Sequence, residues 1–197
     1  MKMHRAALLT LMFPAALAAQ QTSAPPANPV TAAFRGRTMG LQRNLAQAFD
    51  SIPESTFGYK PTASQLTIGY IAQHLTNDNY LFCNAFGDMK GTREAADTTT
   101  ADSVKATWPK AQLVAKLKES FTFCENAFNQ LDDSKMGEQV SLSFRGGGPA
   151  RNVSRVTMVL GHALDMADHY SQIANYMRLN NMIPPTALPR PRPAGGP

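Results

Sequence analysis

The stretch Gly161-His-Ala-Leu-Asp-Met-Ala-Asp-His-Tyr-Ser-Gln172 lies at the centre of the longest amphipathic pattern in the chain. Residues three or four positions apart share one face of a helix, so this stretch places His162, Asp165 and His169 on a common polar stripe. An apolar stripe that includes Met166 runs beside it. Solvated helix faces usually carry lysine and glutamate rather than imidazoles, so the pattern predicts a helix with a ligand-bearing face.

Working outward from this stretch, the spacing of apolar residues predicts three further helices. The four predicted helices span residues 30–51, 62–86, 109–131, and from Asn152 or Ser154 to about 181. Residues 91–108 are polar and predict a loop. Residues 140–144 alternate between apolar and polar types, which fits either a short extended segment or a loop. Four amphipathic helices without a strand repeat predict an all-α, four-helix bundle.

Local signals mark the ends of the predicted second helix. Thr62 followed by Gln65 fits a capping box, in which each side chain satisfies a free backbone donor of the first helical turn. Gly87 is a suitable C-terminal glycine. We therefore expect this helix to begin near Thr62 and to end at Gly87.

The two ends of the chain predict segments outside the bundle. Residues 1–19 combine Lys2 and Arg5 with an apolar run and a small-residue cleavage pattern, which is typical of a signal peptide and too short for a membrane span. Residues 20–29 read as a flexible leader, residues 30–185 as the domain, and the Pro-rich residues 186–197 as a disordered tail. We expect an exported protein, periplasmic or secreted, without integral membrane association.

The charge balance argues against nucleic-acid binding. The formal net charge is +5, but Lys2, Arg5, Arg190 and Arg192 account for +4 of it and lie in the two predicted end segments. The predicted domain is therefore left near +1. A domain so close to neutrality lacks the basic surface that phosphate binding requires.

Two cysteines, Cys83 and Cys124, lie in the second and third predicted helices. An even pair in an exported protein favours a disulfide, which would join these two helices. The alternative is a pair of buried thiols that act as small apolar side chains.

A second polar stripe surrounds His74 on the predicted second helix and includes Tyr70, Asn77 and Asp78. If both stripes face the bundle axis, His74, Asp165 and His169 form a set of two imidazoles and one carboxylate, as in catalytic metal sites that keep open positions. His162 is then a fourth ligand, a partner of a ligand or a base. The alternative is that the histidines are ordinary core residues and that Asp165 and His169 form only an intrahelical pair.

These residues also carry a family resemblance. Gln65 to Gly87, with Ile-Gly-Tyr-Ile-Ala-Gln-His-Leu and Tyr-Leu-Phe-Cys, resembles the second helix of the DinB-like superfamily. Asp165-x-x-x-His169-Tyr-Ser-Gln172, followed by Tyr-Met-Arg-Leu and Pro184-Pro185, resembles its fourth helix and end. The resemblance covers about residues 34–185 and is strongest to exported members with the same two cysteines.

The resemblance implies a four-helix bundle with a divalent metal, often nickel or zinc, held by three histidines. Two of these match His74 and His169, whereas Asp165 stands where the family has its remaining histidine. Aspartate is also a ligand for zinc, iron or manganese. The expected cofactor is therefore a divalent ion of nickel, zinc, iron or manganese.

Family members include thiol-dependent transferases and hydrolase-like or isomerase-like enzymes. By this resemblance, His162, Tyr70 and Tyr176 are candidates for proton transfer or substrate orientation. The expected partner is an unidentified small-molecule substrate, and a homodimer is left open. The competing hypothesis is a non-catalytic ligand-binding or stress-related bundle that has lost the metal.

Overall fold

The computed structural model describes residues 26–142 and 149–189. The predicted signal peptide, most of the predicted leader and the tail from residue 190 lie outside these residues. The elements in chain order are α1 (Pro29–Ser51), α2 (Ile68–Gly87), α3 (Ala95–Thr99), α4 (Asp102–Lys105), α5 (Lys110–Asn129), β1 (Gln139–Leu142), β2 (Arg151–Ser154) and α6 (Arg155–Leu179). The long helices α1, α2, α5 and α6 form the predicted four-helix bundle.

The helix α2 packs against both α5 and α6, and α1 completes the bundle against α5 and α6. The helices α2 and α6 are antiparallel. Arg155 at the start of α6 donates to the carbonyl oxygen of Phe86 near the end of α2, at 2.9 Å. Further along, the rings of His74 and His169 meet. This register decides which polar residues of the two helices face each other.

The core consists of two apolar clusters. The larger cluster draws on all four long helices and includes Leu45, Ile71, Leu117 and Ile173. The smaller cluster surrounds the two cysteines and is rich in aromatic rings, among them Phe86 and Phe128.

The predicted start of the second helix is wrong by six residues. The first residue of α2 is Ile68, and Thr67 caps the helix by accepting a hydrogen bond from the backbone N–H of Tyr70 at 3.1 Å. The N–H groups of Ile68 and Gly69 donate to carbonyl oxygens of Tyr59 and Phe57. The preceding turn therefore satisfies the first helical donors, and the Thr62–Gln65 pair belongs to a separate turn.

Gly87 is the last residue of α2, but it does not supply the left-handed closing residue. Asp88 takes that conformation, with φ of 52°. A Cβ atom at Gly87 would lie 2.5 Å from the Cβ of Ala127 on α5. Gly87 therefore permits the close approach of α2 and α5.

Residues 91–108 are not simply a loop, because they contain the two short helices α3 and α4. Lys116 of α5 binds the buried carboxylate of Asp97 at 2.9 Å. The Nζ of Lys105 lies 2.8 Å from Asp102 and 3.2 Å from the side-chain oxygen of Asn77 on α2. The pair Lys105–Asp102 is local to α4, whereas the contacts of Lys116 with Asp97 and of Lys105 with Asn77 are tertiary and stabilise helices too short to be stable alone.

Residues 139–142 are extended, which decides between the two alternatives for this region. They pair with residues 151–154 in an antiparallel hairpin in which Val140 faces Val153. Asn152 consequently lies in β2, whereas Ser154 directly precedes α6. The bundle thus carries a small two-stranded addition.

The described chain continues past α6 into the region predicted as a tail. Pro185–Ala187 form a 3-10 turn. The backbone N–H of Thr186 donates to the hydroxyl oxygen of Tyr170 at 3.0 Å. Within the described residues, none of the helices is both long and apolar enough to cross a membrane.

Candidate metal centre

The helices α2 and α6 each present a histidine and an aspartate four positions apart. The Nε2 atom of His74 lies 3.3 Å from an oxygen of Asp78, and the Nε2 atom of His169 lies 3.4 Å from an oxygen of Asp165. The two imidazole rings meet edge to face, with centroids 4.8 Å apart. The antiparallel register therefore brings two His–Asp pairs to one place in the bundle.

The ligand atoms of His74, Asp165 and His169 all lie within 4.8 Å of one another. Two ligand atoms that each lie about 2.1 Å from one ion are at most about 4.2 Å apart. The set therefore needs only a small contraction, which side-chain rotation can supply, to hold an ion. Two imidazoles and one carboxylate are also a ligand set that first-row metals accept.

Two buried atoms of this cluster have no hydrogen-bond partner among the described residues: Oδ2 of Asp165 and Nδ1 of His169. Buried polar atoms are usually satisfied, because leaving one unpaired costs about 1–3 kcal/mol. A cation bound by the Asp165 carboxylate would remove such a deficit. The residues present therefore fit a metal ion.

The carboxylate of Asp165 favours positive charge on its neighbour His169, as the pKa of that imidazole indicates. Burial by itself lowers the pKa of His169, but the hydrogen bond and negative charge of Asp165 outweigh it, and the net shift is upward. Burial raises the pKa of the Asp78 carboxyl; His74 opposes this shift and the neighbouring charge of Asp165 adds to it. Two carboxylates in a partly buried site create the field that a divalent cation would neutralise.

Tyr70 lies at the candidate centre, as the sequence predicts. Its ring stacks on His74 with centroids 6.2 Å apart. Both rings line an open cleft of about 390 Å³ whose walls also include Asp78, Leu81 and Phe82. The cleft gives a small molecule access to His74.

Tyr176 does not line this cleft. Its side chain is only 1% exposed and packs edge to face on Tyr59, with centroids 5.9 Å apart. Burial raises the pKa of its hydroxyl. Tyr176 shares the stripe of His169 but lies two helical turns further along α6, which places it in the core.

His162 is likewise separated from the three-residue set. Its Nε2 atom lies 3.0 Å from the side-chain oxygen of Asn79, and its ring is packed among phenylalanine rings. Burial lowers the pKa of His162 to about 4, so the imidazole is neutral at neutral pH. His162 lies two helical turns from His169 and faces a different part of α2. It is therefore not a member of the set formed by His74, Asp165 and His169.

Asp78 is the residue of the site to which the sequence analysis gave no role. Its signal is its spacing: His74 and Asp78 repeat, in reverse order, the four-residue spacing of Asp165 and His169. In antiparallel helices such a mirrored pair of motifs brings like residues together.

Cys83 and Cys124 form a disulfide that joins α2 to α5. This is the pairing that the even number of cysteines predicts. Both residues are fully buried, in the smaller apolar cluster.

Solved structures share this architecture at low sequence identity. A DinB-like protein from Bacillus cereus ATCC 10987 is 14% identical with a TM-score of 0.59, over 77% of this chain and 93% of that protein. A mycothiol-dependent maleylpyruvate isomerase is 11% identical with a TM-score of 0.57, over 73% of this chain and 60% of the isomerase. A conserved protein from Enterococcus faecalis is 12% identical with a TM-score of 0.56, over 76% of this chain and 96% of that protein.

Among curated proteins, a sequence search finds no match. The model of the DinB superfamily, in contrast, matches residues 38–173, which include all four long helices at least in part. That match contains His74, Asp165 and His169. The chain belongs to the DinB superfamily.

Proposed function

We propose that this chain is an exported, metal-dependent enzyme of hydrolase or thiol-transferase type, whose divalent ion is held by His74, Asp165 and His169. The observation that carries the proposal is the convergence of these three ligand atoms within 4.8 Å beside an open cleft. A further support is that a buried carboxylate oxygen of Asp165, beside two imidazoles, has no hydrogen-bond partner among the described residues.

When bound, the ion would supply Lewis-acid chemistry and lower the pKa of a water molecule or thiol. The protein's own side chains hold the ligand rings in place and orient the substrate. Asp78 fixes the ring of His74 through its carboxylate, at 3.3 Å. The hydroxyl of Tyr70 orients a substrate in the cleft, whose apolar wall is formed by Leu81 and Phe82.

Asp165 shifts the expected metal preference. The family pattern has a third histidine at this position. A carboxylate oxygen is a harder ligand than an imidazole nitrogen, and it carries negative charge. Two imidazoles with one carboxylate suit zinc, iron or manganese, and we propose one of these over nickel.

Export is supported by the N-terminal sequence pattern together with the disulfide, because disulfides persist mainly in oxidising compartments. A mycothiol-dependent isomerase shares this fold, and on that ground we include thiol transfer in the proposal.

Metal titration of the purified oxidised protein tests the proposal. Wild type is expected to bind one equivalent of zinc tighter than micromolar. His74→Ala, His169→Ala and Asp165→Asn each remove a ligand and are expected to weaken binding by roughly 100-fold or more. The matched control is Asp168→Asn. Asp168 is an exposed aspartate of α6, and its side chain accepts a hydrogen bond only from Gln172 among the described contacts.

Ligand variants that bind as tightly as wild type would refute the site. Catalysis is tested separately, by assaying metal-loaded wild type and Tyr70→Phe with small thiols, electrophiles and esters. Turnover that disappears in His74→Ala supports the enzyme. Metal binding without turnover on any of these substrates would contradict the enzyme but not the metal site, whereas the competing bundle that has lost the metal requires that no metal binds.

A further inference from the structure

A second cluster of metal-ligating side chains lies deeper in the bundle, between α2, α5 and α6. Cys83, Cys124 and His162 present ligand atoms within 4.8 Å of one another. The Sγ of Cys83 is 3.8 Å from Nε2 of His162, and the same nitrogen is 3.0 Å from the side-chain oxygen of Asn79. All four side chains are fully buried.

These distances resemble those between the ligands of a tetrahedral zinc ion. Bonds of about 2.3 Å to sulfur and 2.0 Å to nitrogen or oxygen place neighbouring ligand atoms roughly 3.3–3.8 Å apart. The separations from His162 to Cys83 and to Asn79 already bracket that range. The two sulfur atoms, now bonded to each other, would need to move apart.

Charge compensation favours the same chemistry. The surroundings are apolar, with Phe86, Phe128 and Val159 among the neighbours, so an uncompensated charge would be strongly penalised. Two thiolates cancel the charge of a divalent ion, and a neutral imidazole and a neutral amide add none. The assembled group would therefore be electrically neutral in a dry core.

We propose that reduction of the Cys83–Cys124 disulfide converts this cluster into a second metal centre, in which Cys83, Cys124 and His162 bind a zinc ion and Asn79 supplies the fourth, oxygen ligand. A dithiol reductant gives two hydrogens to the cysteines and closes its own disulfide. The two cysteine thiols then release two protons as the ion binds. This centre is distinct from that of His74, Asp165 and His169 and does not depend on the proposed function.

The hydrogen bonds of Asn79 orient its amide for this role. Its side-chain nitrogen donates to the hydroxyl of Ser120 at 2.8 Å, and that hydroxyl donates to the carbonyl of Leu117. The amide oxygen consequently faces His162 as an acceptor, and Nε2 of His162 carries the proton. Metal binding at Nε2 would move this proton to Nδ1, which has no hydrogen-bond partner among the described residues.

Cobalt titration tests the proposal, because a thiolate bound to cobalt gives a charge-transfer absorption in the near ultraviolet. The protein is reduced with a phosphine in mild denaturant, returned to native buffer, and checked by mass for the gain of two hydrogens. Oxidised protein is expected to show no such absorption. Reduced protein is expected to bind one equivalent of cobalt more than the oxidised protein does. It is also expected to show the charge-transfer absorption.

Three variants assign the ligands. Cys83→Ser/Cys124→Ser should lose the absorption, and His162→Gln should weaken the additional binding by roughly 100-fold. His74→Ala, reduced in the same way, should keep the absorption, so failure of the proposed function and failure of this centre are distinguishable.

Reduced, folded wild type that binds no further equivalent and lacks the absorption would overturn the proposal, and so would an unchanged affinity in folded His162→Gln. If His162→Gln does not fold, the decisive readout is the melting temperature of reduced His74→Ala. Zinc is expected to raise this melting temperature. An unchanged melting temperature would overturn the proposed second centre.

Discussion

His162 is a buried imidazole whose proton affinity is coupled to folding. Burial lowers its pKa from 6.5 to about 4. Between these values the unfolded chain binds the proton and the folded protein does not. The stabilising contribution is therefore fully present above pH 6.5 and is lost as the pH falls to about 4.

We expect the free energy of unfolding of the oxidised, metal-free protein to fall by roughly 3 kcal/mol over this range on account of His162. Denaturant titrations at a series of pH values measure it. His162→Gln is the control, because it removes the titrating group but keeps a polar side chain. If wild type and variant show the same pH dependence, His162 is not buried in its neutral form.

At the residue scale, the sequence predicted which side chains share a face but not their depth along it. A four-residue spacing on one helix and a matching stripe on another predict that His74, Asp165 and His169 converge, and their ligand atoms lie within 4.8 Å of one another. His162 and Tyr176 lie seven residues from His169, which is the same face but about 10 Å away along the axis. A projection down the helix hides that distance, so both residues were assigned to the site.

The contact between α2 and α5 depends on a glycine. A Cβ atom at Gly87 would lie 2.5 Å from the Cβ and 2.9 Å from the Cα of Ala127. Since a backbone atom cannot move aside easily, Gly87→Ala is expected to destabilise the protein by about 1–3 kcal/mol, as measured by chemical denaturation.

The matched control is Gly36→Ala in α1, where a Cβ atom would meet nothing within 4 Å. Alanine favours the helix there, and a gain of about 0.5–1 kcal/mol is expected. Equal effects of the two substitutions would contradict the close packing of α2 on α5.

At the element scale, the four long helices follow from apolar periodicity, whereas their ends and the short elements do not. The start of α2 is set by the Thr67 cap together with the carbonyl groups of Phe57 and Tyr59, whereas the Thr62–Gln65 pattern belongs to the preceding turn. The helices α3 and α4 depend on the contacts of Lys105 with Asn77 and of Lys116 with Asp97, which form only in the tertiary fold. Local sequence signals cannot contain that information.

The disulfide constrains the whole molecule, because it joins α2 and α5 across a sequence separation of 41 residues. Closing a loop of that size in the unfolded chain corresponds to about 4 kcal/mol in the chain-entropy account. We expect Cys83→Ala/Cys124→Ala to lower the free energy of unfolding by about this amount. Chemical denaturation of the metal-free proteins measures it, and an unchanged midpoint would mean that the bridge does not stabilise the fold.

At the scale of the molecule, the bundle class could be predicted from four amphipathic helices, and the family resemblance pointed the same way. The register between α2 and α6 could not, because it depends on packing contacts such as that of Arg155 with Phe86 and Asp88. That register brings Asp78 to the candidate centre and places His162 beside the disulfide.

We propose, first of all, that a divalent metal ion binds between α2 and α6. Anomalous diffraction from crystals of the oxidised protein grown with zinc, recorded on both sides of the zinc absorption edge, tests it most directly. We predict a peak within bonding distance of His74, Asp165 and His169. The absence of a peak at these three side chains, with zinc found only at other carboxylates, would contradict the account.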